Sequence, residues 1–275
     1  MTIGEAVRAG ATRLDAISDT ARLDVEVLAA HLLGVSRAEL LLHHLRDPAP
    51  HGLAALIERR AALEPVAYIT GRQEFYGLPF IVSPAVLIPR GDSETLVEAA
   101  LAEQPEARRV LDCGTGSGVL LLATLAYRDG AEGVGIDRSP EALAVAQANA
   151  EALGLRPKAR FVEADWNQPG WARTLGRFDL VLANPPYVER DAELDPDVRN
   201  YEPAGALFAG PDGLADYRIL VPQLPDLLAP GGVAVIEIGH RQAEPVSAIA
   251  ASAGLSAELR CDLADRPRAL VLRAF

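Results

Sequence analysis

Residues 109–137 read RVLDCGTGSGVLLLATLAYRDGAEGVGID. A short apolar run, Arg109–Asp112, leads into a glycine-rich turn, Asp112–Gly118 (DCGTGSG). An apolar stretch of helical character, Val119–Tyr127, follows, and then a second short run, Gly133–Asp137 (GVGID), that again ends in an acid. Strand, glycine turn, helix and strand in that order form the opening unit of a doubly wound α/β fold. Glycines in the turn let the backbone bend tightly and approach a ligand where a Cβ would clash. Asp137 lies 19 residues beyond Gly118, where such folds hydrogen-bond ribose hydroxyls. A nicotinamide dinucleotide meets the same requirement, although the spacing here is G-x-G-x-G rather than G-x-G-x-x-G. Asp137 also stands just ahead of Ser139-Pro140, where an acid would serve the start of the next helix.

Outward from this unit the alternation continues. Ser93–Glu103 reads as a helix, Pro140–Leu153 as an alanine-rich helix, Ala159–Glu163 and Phe178–Ala183 as strands, Leu214–Leu228 as a helix and Gly232–Ile238 as a strand. Ala257–Cys261 and Ala269–Arg273 would close the order as a hairpin. Strands alternating with helices predict a mostly parallel sheet covered on both faces. Before residue 66 the pattern is different. Leucines at helical spacing (Leu28, Leu32, Leu40, Leu41, Leu45) and a break at Asp47-Pro48-Ala49-Pro50 predict a small helical bundle over 1–65. Residues 66–90 (VAYITGRQEFYGLPFIVSPAVLIPR) mix β-branched and aromatic residues with Gly71, Gly77, Pro79 and Pro84, which predicts short strands or a hairpin linking the two parts.

The chemistry points to residues 184–187, Asn-Pro-Pro-Tyr, directly after the strand FDLVLA. Open α/β sheets bind ligands at the carboxyl ends of their strands. Two prolines give a rigid extended backbone without amide donors, so its carbonyls and the Asn184 side chain remain as acceptors. A planar NH2 group suits such a site. Asn184 and the Pro185 carbonyl would accept both hydrogens, Tyr187 would pack on the flat group, and alignment with an electrophile would carry the rate. Adenine, guanine and glutamine nitrogens all satisfy this description.

Composition narrows the classes. A net charge of −12 disfavours stable nucleic-acid binding and favours a basic partner. Cys113 and Cys261 show no metal or disulfide spacing, and His43-His44 is not at helical ligand spacing, so no metal is expected. His240 receives no role. The first residues carry scattered charge and no long apolar run, so neither a leader nor a membrane span is expected, and the cytoplasm is the expected location.

The chain resembles the HemK/PrmC family of release factor glutamine-N5 methyltransferases over nearly its whole length. The resemblance rests on EPVAYITGRQEFYGLPFIVSPAVLIPR (64–90), LDCGTGSG (111–118), GIDRSPEALAVAQANA (135–150), NPPYV (184–188), YEPAGALFAGPDGLADYR (201–218) and EIGHRQ (237–242). It implies a class I methyltransferase fold, Rossmann-like with a mostly parallel seven-stranded sheet, over 91–275. It also implies a helical domain over 1–65 that docks the release factor, and a β-hairpin linker over 66–90. S-adenosylmethionine would be held by Asp112, Gly114, Thr115, Gly116, Ser117 and Gly118, with Asp137 on its ribose, Asp165 and Trp166 near its adenine, and Asn184 beside it. Asn184, Pro185, Pro186 and Tyr187 would hold the glutamine of a Gly-Gly-Gln loop in class-1 release factors. A ribosomal-protein glutamine and a nucleic-acid base are the alternative acceptors, and the enzyme is expected to act as a monomer. The family continues its IPR segment with Pro-Glu-Thr-Glu, whereas residues 91–94 here read GDSE.

Overall fold

In the computed structural model, which describes residues 1–275, the strands around the glycine turn belong to one seven-stranded sheet. In chain order the elements are α1 (Ile3–Leu14), α2 (Ala21–Leu33), α3 (Arg37–Glu39), α4 (Leu53–Ala61), α5 (Val66–Thr70), β1 (Arg72–Phe75), β2 (Leu78–Ile81), α6 (Glu94–Glu103), β3 (Arg109–Cys113), α7 (Val119–Ala126), β4 (Glu132–Asp137) and α8 (Pro140–Ala152). They continue with β5 (Ala159–Glu163), β6 (Phe178–Ala183), α9 (Pro196–Tyr201), α10 (Ala215–Leu220), α11 (Leu224–Leu227), β7 (Leu228–Glu237), α12 (Ala243–Ser252), β8 (Leu255–Cys261) and β9 (Pro267–Ala274). The chain divides into two compact units, one of Met1–Arg72 with Leu194–Tyr201, the other of Gln73–Glu193 with Glu202–Phe275.

The first unit is helical. Thr2 and Glu5 form a capping box at the start of α1, satisfying two amides that the helix cannot. Gly10 lets α1 come close to its neighbours, because a Cβ there would lie 2.8 Å from Ile57 and 2.9 Å from Val25. The interior holds a buried ion pair, Arg60 Nε to Asp24 Oδ2 at 2.9 Å, and Asp24 also accepts the hydroxyls of Ser18 and Thr20. The segment Leu194–Tyr201 joins this unit through the Tyr201 hydroxyl, which donates to the Ala62 carbonyl at 2.8 Å.

The second unit is built on the sheet, in the order β5-β4-β3-β6-β7-β9-β8. β3 to β7 run parallel, and β9 is antiparallel to both β7 and β8. Side chains alternate between two apolar layers. Val110, Leu180, Leu182, Val233 and Val235 pack with Leu96 and Leu121. Leu111, Val181, Ala183, Ala234 and Ile236 pack with Tyr217, Leu224 and Val246. This doubly covered, mostly parallel sheet is the one expected from the strand alternation, and its seven strands match the class I methyltransferase fold that the resemblance implies.

Local punctuation moves two segments away from the sequence reading. Val66–Thr70 is helical, not extended. Pro65 precedes it and Gly71, at φ 69°, ends it, so start and stop signals outweigh the β-branched side chains between them. Leu214–Leu228 is interrupted by Pro222 and Pro225, giving α10, a 3-10 turn at Val221–Gln223 and then α11, since proline removes an amide donor and clashes with the preceding turn.

Candidate active site

Register alone brings three of the expected residues together. Cys113 on β3 is level with Ile136 on β4 and with Ala183 on β6. The next residues, Gly114, Asp137 and Asn184, therefore emerge side by side at the carboxyl edge of the sheet. The strand order reverses at β3, so this edge is the crevice of a topological switch point.

The glycine turn is folded back on β4. The Gly114 and Thr115 amides both donate to the Ile136 carbonyl, at 2.9 and 2.8 Å. The Gly116 amide donates to Asp137 Oδ2 at 3.0 Å, and the Ser139 amide donates to Oδ1 at 2.9 Å. Asp137 thus fastens the turn and keeps lone pairs for a ligand. Gly116 is at φ 54° with nothing within 4 Å of where a Cβ would be, so a side chain there would project into the cleft. Asp112 lies behind the turn, fully buried. Its Oδ2 accepts the Thr115 hydroxyl at 2.6 Å, while Oδ1 has no partner. Burial pushes its carboxyl up to about 7, and the Thr115 hydroxyl holds back part of that rise.

The far wall is Trp166, whose ring lies 3.0 Å from a Cβ built on Gly114. Its Nε1 donates to Asp216 Oδ1 at 3.1 Å, and its carbonyl accepts from Gln223. Asp165 Oδ1 accepts from the Asn167 amide and side chain. A second wall comes from Ala85–Arg90. It is held by Glu202, which accepts the Ile88 amide at 3.1 Å and pairs with Arg90. The departure at 91–94 is accommodated here. Gly91–Ser93 forms a 3-10 turn, Asp92 pairs with Arg268 at 2.7 Å, and Glu94 accepts the Tyr76 amide at 2.8 Å.

One cleft is lined by Gly114, Thr115, Gly116, Ser117, Asp137, Asp165, Trp166, Asn184 and Pro186, together with Arg90, Ser93, Arg138 and Asp216. Four of the expected residues lie outside its lining. Asp112 sits behind the turn. Gly118, at φ 84°, serves helix packing, because a Cβ would meet Leu122 at 3.1 Å and Ala146 at 3.3 Å. Pro185 is buried. Tyr187 points away, its hydroxyl donating to Glu237 Oε1 at 3.3 Å. The Asn184 side chain has no hydrogen bond to the protein, nor does the Pro185 carbonyl. His240 is exposed and outside the lining.

Sequence reading passed over Asn149, Glu202 and Asp216. Asn149 is the informative case. Fully buried on α8, it donates to the Ser117 carbonyl at 2.8 Å and to the Ile81 carbonyl at 3.0 Å, and accepts the Ile81 amide at 2.6 Å. A lone amide on the apolar face of an alanine-rich helix was the available signal.

A family model described as the PrmC N-terminal domain matches residues 5–71, and one described as a methyltransferase domain matches 105–256. A release factor glutamine methyltransferase from Rhodospirillum rubrum is 42% identical over 99% of this chain and 85% of its own length. One from Geobacter sulfurreducens is 46% identical over 83% of this chain and 80% of its own length. The chain belongs to the release factor glutamine methyltransferase family. It is a methyltransferase, and its solved neighbours share the fold of its second unit. A ribosomal protein L11 methylase from Lactobacillus delbrueckii subsp. bulgaricus superposes with a TM-score of 0.50 at 22% identity, over 70% of this chain and 83% of that one. A methyltransferase from Pyrococcus furiosus gives 0.50 at 17% identity, over 71% and 88%.

Proposed function

We propose that this chain transfers a methyl group from S-adenosylmethionine to the side-chain amide nitrogen (N5) of the glutamine in the Gly-Gly-Gln loop of class-1 release factors, as a monomer in the cytoplasm. The observation that carries the reading is Asn184. It emerges beside Gly114 at the strand edge, reaches the cleft, and leaves its amide unpaired. Family membership supplies the acceptor class. No helix of the chain is long and apolar enough to cross a membrane, which agrees with the proposed location.

S-adenosylmethionine fits the residues present. The open space at Gly116 admits a close ligand, and Asp137 offers ribose acceptors at the cleft. Trp166 and Asp165 form the adenine side. When bound, the cofactor supplies a methyl group on a positively charged sulfur. The protein's task is then positional. Asn184 Oδ1 and the Pro185 carbonyl accept the two hydrogens of the glutamine amide, turning the nitrogen toward the methyl group. Prolines on both sides of that carbonyl keep the turn from rearranging. The nitrogen would give up one of its two protons to solvent as it gains the methyl group, so placement of the two reactants, with no strong base among the residues at Asn184, accounts for the rate. The first unit is the docking surface for the release factor.

The test incubates the protein with the cofactor and, in separate reactions, unmodified release factor, ribosomal proteins and duplex DNA, and locates the methyl group by mass spectrometry. One methyl on the Gly-Gly-Gln glutamine is expected. Asn184→Ala is expected to lower turnover on the order of 100-fold with cofactor affinity retained. Methylation of a ribosomal protein or DNA in place of the release factor would overturn the acceptor, and normal turnover by Asn184→Ala would overturn the role of the turn.

A further inference from the structure

The block Glu237–Gln242 (EIGHRQ) is prominent in the sequence, yet no residue of it lines the cleft. Its placement relative to the Asn-Pro-Pro-Tyr turn gives it a task. Ala183 is level with Ile236 on β7, so Asn184 and Glu237 are neighbours at the strand edge. Three residues on from Asn184, the chain is gripped at both ends of Tyr187. The Tyr187 hydroxyl donates to Glu237 Oε1 at 3.3 Å. Its carbonyl accepts from Gln242 Nε2 at 3.1 Å. The same Nε2 donates to the Gly213 carbonyl at 3.2 Å, and Gln242 Oε1 accepts the Gly239 amide at 3.0 Å. One side chain therefore ties three loops.

The surroundings leave no slack. A Cβ on Gly213, at φ 68°, would lie 2.3 Å from the Tyr187 carbonyl oxygen and 2.8 Å from Gln242. A Cβ on Gly239 would lie 2.9 Å from Gln242 and 3.4 Å from the Tyr187 ring. Glu237 is 2% exposed. A buried carboxylate is costly unless its bonds are worth keeping. Facing it are the Tyr187 hydroxyl, Ser93, Tyr217 and Arg268, with Asp92 close by, while its Oε2 has no hydrogen-bond partner.

We propose that Glu237 and Gln242 are positioning residues for methyl transfer: they hold the hydroxyl and the carbonyl of Tyr187, fix the exit of the Asn184–Tyr187 turn, and so fix where Asn184 presents its amide, without touching either substrate. The hydroxyl and carbonyl of Tyr187 thereby pin the turn. The inference rests on the reading that Asn184 holds the acceptor amide.

The test compares steady-state kinetics on intact release factor, with cofactor affinity measured separately. Tyr187→Phe and Gln242→Ala are each expected to lower kcat on the order of 10- to 100-fold. KM for the release factor and Kd for the cofactor should stay within about twofold. Glu237→Leu should match Tyr187→Phe, and the double variant should be no worse than either, since both remove one bond. Glu237→Gln, whose side-chain carbonyl still accepts the phenol, should recover most of the loss. Should Glu237→Leu fail to fold, Tyr187→Phe and Gln242→Ala carry the test. The proposal is overturned if those two turn over within about twofold of the wild type, or if the loss lies in KM. Asn184→Ala run alongside separates the failures. If it is inactive while the others are normal, only this inference falls; if it too is normal, the reading of the turn falls first.

Discussion

Asp112 is a carboxyl whose charge state should depend on what occupies the cleft. Burial raises it to about 7, and one of its oxygens is unpartnered. Asp112 lies behind the glycine turn, so a cationic ligand in the cleft acts on it only through the turn, and in the direction that favours the ionised form. Binding must then expel the proton that Asp112 holds below about pH 7, so affinity falls as pH falls. The Kd for S-adenosylmethionine, measured by calorimetry, is expected to rise between pH 8 and 6, by less than about tenfold in all because Asp112 acts through the turn. Asp112→Asn should weaken binding at pH 8 and flatten that slope. A slope unchanged in the variant would remove Asp112 from cofactor binding. Cys113, next to it, is pushed well up by burial, so it stays a thiol and behaves as the small apolar residue its position in the apolar layer requires.

At the scale of elements, the glycine turn is held from three sides: by Ile136 on β4, by Asp137, and by Asn149 on α8. Asn149 also binds both backbone groups of Ile81 on β2, which makes the hairpin part of the support for the cofactor loop. Asn149→Ala leaves these groups without a partner and should cost about 1–3 kcal/mol of stability, read in chemical denaturation. It should also weaken cofactor binding by loosening Ser117. Unchanged affinity would show that the turn keeps its shape without α8. These elements differ in how far the sequence announces them. β3, β4 and β6 were legible because each is an apolar run with a clear end, an acid near the end of β3 and β4 and Asn-Pro-Pro after β6, and the same signals placed Asp137 and Asn184 at the cleft. Asn149 showed only as a lone amide on an apolar helix face, and the roles of Asn149, Glu202 and Asp216 were not legible. Their partners are Ser117, Ile88 and Trp166, remote in the sequence, and no local pattern encodes that pairing. Tyr187 shows the opposite limit: its motif was plain, but the partner of its hydroxyl, Glu237, is 50 residues away.

Across the whole molecule, charge and segmentation matter most. The net charge is −12, which gives the surface an excess of acids. The helical unit is made from two separate stretches of chain, Met1–Arg72 and Leu194–Tyr201, and its buried pair Arg60–Asp24 has a second acid, Asp197, 3.9 Å from Arg60. Asp24→Ala would leave Arg60 buried with only that distant partner, at a cost of about 3–5 kcal/mol. Hydrogen exchange should then show protection lost together over 1–72 and 194–201, while β3 and β4 keep theirs. Loss confined to residues 1–72 would mean that the later stretch is held independently. The division has a further consequence for the order of manufacture. Translation delivers the first five helices early, but the stretch that brings Asp197 to Arg60 and Tyr201 to Ala62 leaves the ribosome only after residues 73–193 have been made. The first unit to be synthesised is therefore among the last to be finished.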